Sequence, residues 1–170
     1  MICVFEILSP EARDFKRLIQ ISPNSTFEEL HQIVQNTSDF DQSQLASFFI
    51  TDEHWRKRIE ISLLDSGRNT TGQLCMRTVK LNEYISEAGQ KLVYVYDYFN
   101  ERYFYLELKE KLMKPDLKEP FVAYERGFAP AQFLINDYDS PEVELLDSND
   151  SYKSFGELED YYEIFGEMEA

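Results

Sequence analysis

At 170 residues, with 43% hydrophobic and 15% aromatic content, the chain has the length of one domain and the apolar material for a core, which excludes wholesale disorder. Its net charge of −15 is concentrated: residues 136–170 hold twelve acids against Lys153 alone, a net of −11, which leaves −4 for the other 135 residues. That segment repels a phosphate backbone and disfavours nucleic acid, while no apolar run approaches the ~20 residues of a membrane helix.

In chain order, "ICVFEIL" (2–8) reads as a strand and "DFKRLIQIS" (14–22) as its partner across "SPEAR". Thr26 and Glu29 have capping-box spacing, and Phe27, Leu30, Ile33 and Val34 form an apolar stripe at helical period, so a helix starts there. "LASFFIT" (45–51) reads as a buried strand, and "WRKRIEISLL" (55–64) alternates partly before the "DSG" turn. The run 78–90 suggests an extended lead-in and one or two helical turns closed by Gly89.

The most patterned stretch is "KLVYVYDYFNERYFYLELKEK" (91–111), with five tyrosines and two phenylalanines. It reads as a hairpin whose bend runs from Asp97 to Arg102, with Asn100 as the residue that tolerates a left-handed backbone. Both faces of the first arm are apolar, as in a central strand covered on two sides. Tyrosine suits such a strand, so the rings read as architecture. Beyond it, "FVAYERG" (121–127) reads as extended and "APAQFLIND" (129–137) as a short helix. In the acidic segment, Ser154 and Glu157 repeat the capping-box spacing, and Phe155, Leu158, Tyr162 and Phe165 share one face of an amphipathic helix over about 154–166. The expected fold is α+β: a compact domain over 1–135, a mainly antiparallel sheet with a few helices, and an acidic, partly helical extension over 136–170.

The residues that carry chemistry are sparse. Glu28 and His31 form one Glu-x-x-His pair, whereas helical carboxylate metal sites use that motif twice. A histidine bonded to a backbone carbonyl or facing water is the plainer reading. Neither Cys3 nor Cys75 has an activating context, they make no disulfide framework, and there is no nucleophile elbow or phosphate-binding glycine loop. No cofactor is implied. "WRKR" (55–58) is the one basic cluster of the body, with Trp55 as a candidate stacking partner. The bland reading is a solvated strand, neutralised in cis by the acidic segment. The start of the chain lacks a basic stretch before its apolar run, so a cytoplasmic setting is expected.

Three stretches also share a family pattern: "SPNSTFEELHQIVQNTSDFDQSQLASFFI", "LNEYISEAGQKLVYVYDYF" and "EPFVAYERGFAPAQF". Over about residues 1–135 the chain resembles the plasmid pRiA4b ORF-3-like family, the Leu30-His31 helix and the Tyr96-Asp97 strand end carrying most of the match. The resemblance implies a compact α+β domain, with no catalytic activity firmly attached. The family's Tyr-Asp-Phe-Gly-Asp-x-Trp falls on Tyr96, Asp97, Tyr98, Phe99, Asn100, Glu101 and Arg102, so the glycine, the second acid and the tryptophan are replaced. The expected role is a non-catalytic binding module. The stripe of Phe155, Leu158, Tyr162 and Phe165 reads first as the inner side of a solvated helix packed on its own domain, and otherwise as a docking stripe for a protein partner. The alternatives are a hydrolase-like site at Asp97, Asn100 and Glu101, or an accessory protein of nucleic acid or mobile elements.

Overall fold

In a computed structural model, residues 1–64 and 74–134 are described, and those up to Gln132 make one unit. Eight strands form one sheet: β1 (Ile2–Leu8), β2 (Lys16–Ile21), β3 (Ser47–Thr51), β4 (Lys57–Ser62), β5 (Leu74–Cys75), β6 (Lys91–Asp97), β7 (Arg102–Leu112) and β8 (Phe121–Arg126). Their order is β5-β4-β3-β6-β7-β1-β2-β8. Every pairing is antiparallel except the short β4–β5 contact. Among the described residues the only α-helix is α1 (Phe27–Ser38), so the expected mixture of sheet and several helices is a mainly β domain with one helix.

Helix α1 begins where its sequence says. The Thr26 side chain accepts from the Glu29 N–H, and the Glu29 carboxylate accepts from the Thr26 N–H, both at 3.2 Å. Its inward face is wider than the expected stripe, because His31, Gln35 and Ser38 are buried beside Phe27, Leu30 and Val34. They pack on one face of the sheet, where Tyr94, Tyr96, Phe104 and Phe48 alternate inward. The rings interlock: Phe40 lies 4.9 Å from Tyr96 and Phe104 4.8 Å from it, centroid to centroid. The hairpin tyrosines at 94 and 96 are therefore core, as their alternation indicates.

Three local expectations are corrected. A single 3-10 turn, Leu81–Glu83, replaces the helical turns before Gly89, and Gly89 instead hydrogen-bonds Leu108 at the mouth of β6 and β7. The left-handed residue of the bend is Glu101 (φ 52), not Asn100, whose amide is engaged by Asp97. Of the helix expected over 129–137, residues 129–134 hold none, and 135–137 lie outside the described residues. The carbonyls of Ala131 and Gln132, which helical bonds would need, accept from the Arg102 guanidinium instead. The amphipathic helix expected at 154–166 lies outside the described residues, as do Phe155, Leu158, Tyr162 and Phe165. No helix of the described residues is long and apolar enough to cross a membrane.

Candidate binding surface

At the hairpin bend, Asp97 serves its own turn. One carboxylate oxygen accepts from the Asn100 N–H at 3.2 Å and the other from the Asn100 side-chain amide at 3.0 Å. The second oxygen also lies 3.6 Å from the Arg102 guanidinium. Burial pushes the Asp97 carboxyl up, but the Asn100 bonds and Arg102 outweigh it, and the pKa falls below the ordinary value. Glu101 is exposed. Phe99 stands 97% exposed at the tip.

Arg102 is the anchor of the bend. The side chain is buried, makes a fork to Glu11 at 2.9 and 2.8 Å, and donates to the carbonyls of Gln132 and Ala131 at 2.9 and 2.6 Å. Its guanidinium carbon sits 5.2 Å from the Tyr96 ring centroid. The Glu11 bonds hold its pKa above the ordinary value. This one residue joins the loop after β1, the bend and the 131–132 segment.

Glu28 and His31 do not assemble a ligand set. His31 is buried, and its Nδ1 lies 2.7 Å from the Tyr94 hydroxyl, so its partner is neither the backbone carbonyl nor the water expected from sequence. Burial lowers the His31 pKa to about 4. Among the described residues, no group of three or more His, Cys, Asp or Glu is arranged to hold a metal ion.

The basic cluster is also reorganised. Asp52 accepts from the Arg56 side chain at 2.7 Å and from Arg58 at 3.3 Å, so one nearby carboxylate draws in both arginines and offsets part of their charge. The same carboxylate takes the N–H groups of His54 and Arg56 at 2.8 and 2.9 Å, and these bonds, that of Arg56 foremost, hold its pKa far below the ordinary value. This hub fixes Trp55 in a left-handed conformation (φ 66), uncommon for a bulky residue. Its ring then packs 4.5 Å from that of Tyr105.

Trp55 thus belongs to the sheet face opposite α1. Register places Tyr105 and Phe49 on either side of Val93, and Tyr103 beside Val95. Phe49, Trp55, Tyr103 and Tyr105 are all partly exposed, in contrast to the fully enclosed rings of the helix-covered face. Lys57 lies 4.6 Å from the Phe49 centroid and Lys91 5.5 Å from that of Trp55. The sequence signal for this surface was the outward phase of the hairpin, Tyr103 and Tyr105. Nothing local tied them to Trp55, about fifty residues away.

The solved structure of MM3350, a protein of unknown function from Methanosarcina mazei Go1, is similar, with a TM-score of 0.58 at 20% identity over 97% of this chain and 89% of that one. This likeness is one of fold. No curated protein matches the chain. The family model described as plasmid pRiA4b ORF-3-like protein matches residues 7–132, which span the whole sheet but the start of β1. The chain therefore belongs to the plasmid pRiA4b ORF-3-like protein family.

Proposed function

We propose that this protein is a non-catalytic binding module, and that the sheet face opposite α1 is its contact surface. The observation that carries the reading is the row of partly exposed rings, Phe49, Trp55, Tyr103 and Tyr105, on rigid strands. Aromatic residues provide large contact area at small entropic cost and dominate protein interfaces. The carboxylate that an enzyme at the bend would use, Asp97, is already engaged by Asn100 and Arg102. The twelve acids of residues 136–170 steer a basic protein toward the chain by their charge.

The test is photo-crosslinking in the native host, with a crosslinkable residue at Tyr103 on the open face or at Gln32 on the outer side of α1. One protein, identified by mass spectrometry, should join at position 103 and not at 32. Absence of an adduct at 103, or a hydrolytic activity that Asp97→Asn abolishes, overturns the reading.

A further inference from the structure

Beside Trp55 and Tyr105 the open face has a cleft of about 90 Å³, lined by Glu6, Leu8, Trp55, Tyr105, Leu106 and Glu107. We propose that this corner takes an arginine side chain presented by a basic protein partner. The inference rests on the reading of the open face as a contact surface and names the chemistry of what it holds.

Two independent features converge on that chemistry. The first is the aromatic wall. A guanidinium is planar and weakly hydrated, and it stacks on ring faces. The indole of Trp55 already has the protein's own Lys91 ammonium 5.5 Å from its centroid, so its surroundings accept a cation. The wall is built at a cost in backbone strain, since Trp55 is held at φ 66 within a turn of six bonds centred on Asp52: Trp55 N–H to the Asp52 carbonyl, Asp52 N–H to the Arg56 carbonyl, and four to the carboxylate. Strain of this kind gathers at ligand clamps.

The second feature is the pair of carboxylates. The Glu6 and Glu107 side chains are only 15% and 27% exposed, and both face the cleft. Both already have ammonium partners, and the one they share is loose. Lys109 sits 3.7 Å from each, at the edge of ion-pair range, and is itself 44% exposed. Lys16 is closer to Glu6, at 3.2 Å. On this proposal an arriving guanidinium takes the place of the shared Lys109 ammonium, because it offers paired donors to one carboxylate while stacking on a ring. The cleft has room for such an end-group and not for a whole small-molecule ligand. The net charge of −15 attracts a basic partner from a distance, and the corner gives its arginine a defined seat.

Trp55 is the only tryptophan of the chain, so its fluorescence reads the site directly. The full-length protein is titrated with acetylated triarginine amide, and with trilysine and tricitrulline peptides of the same length. Triarginine should change Trp55 emission saturably, trilysine should bind several-fold more weakly, and tricitrulline should leave emission unchanged. The double variant Glu6→Gln/Glu107→Gln, with folding checked by its thermal melt, should weaken triarginine binding by about tenfold or more. No saturable response, an equal response to tricitrulline, or undiminished affinity in the double variant overturns the proposal; the last would mean general attraction to an acidic chain. A crosslink at Tyr103 to a partner without a basic segment would sink this proposal while keeping the contact surface. Saturable triarginine binding without any crosslink at Tyr103 would do the reverse.

Discussion

The Nδ1 atom of His31 lies 2.7 Å from the phenolic oxygen of Tyr94, in the interface between α1 and the centre of the sheet. Gln35 donates to the same oxygen from its side-chain amide at 2.5 Å, so the hydroxyl proton is free to go to His31. The arrangement holds the imidazole neutral. Burial lowers the His31 pKa to about 4 and pushes that of Tyr94 well above the usual phenol range, although the Gln35 bond offsets part of the Tyr94 shift.

Stability therefore depends on pH through His31. In the unfolded chain the imidazole binds a proton below about 6.5, while in the folded protein it does so only below about 4. Between those values the unfolded state holds more protons, so stability is full above about 6.5 and falls as pH drops toward 4. The total is about 3 kcal/mol, from about 1.4 kcal/mol per unit. Urea denaturation at a series of pH values should show this loss in the native protein and a flatter dependence in His31→Gln. Equal slopes for the two proteins would mean that His31 is not the titrating group.

Removing Arg102 should loosen three segments at once. Arg102→Met leaves the carbonyls of Ala131 and Gln132 without their donor and Glu11 without its fork, and should cost about 2–3 kcal/mol. Arg102→Lys keeps the charge but cannot reach every acceptor, so it should fall between. Limited proteolysis should cut the Met variant first near residues 127–134. If the Met variant matches the native protein in both stability and cleavage, the clamp has no structural weight.

Two glycines with positive φ should respond differently to alanine. At Gly127 (φ 71) an added Cβ would meet the Asp14 carbonyl oxygen at 2.5 Å, so Gly127→Ala combines a left-handed backbone with a collision. It should cost about 2 kcal/mol or more. At Gly89 (φ 97) a Cβ would meet nothing within 4 Å, so only the backbone term remains, about 1 kcal/mol. Thermal melts of the two variants should separate them in that order. The reverse order would show that the close approach at Asp14 relaxes freely.

Much of this architecture was legible because its causes are local. Alternation along 91–97 and 102–108 marks the central hairpin, and every second residue of each arm is indeed enclosed by the core. The capping box at Thr26 and Glu29 works through bonds three residues apart, so sequence spacing suffices to place the start of α1. The same locality explains the errors. The short helix expected over 129–137 has acceptable local propensity, but Arg102 lies about thirty residues away and takes the carbonyls of Ala131 and Gln132.

The sequence by itself determined the strands other than β5, the helix start, the enclosed tyrosines and the family, all of which rest on period, spacing and residue type. The tertiary structure alone decided which side chains meet. It removed His31 from solvent and gave it to Tyr94, spent Asp97 within its own turn, and turned Arg56 and Arg58 back onto Asp52. It also set Trp55 against Tyr105 beside Glu6 and Glu107, four residues drawn from three separate stretches of chain. Sheet register and one strained backbone angle fix that corner, and neither has a counterpart in any local pattern.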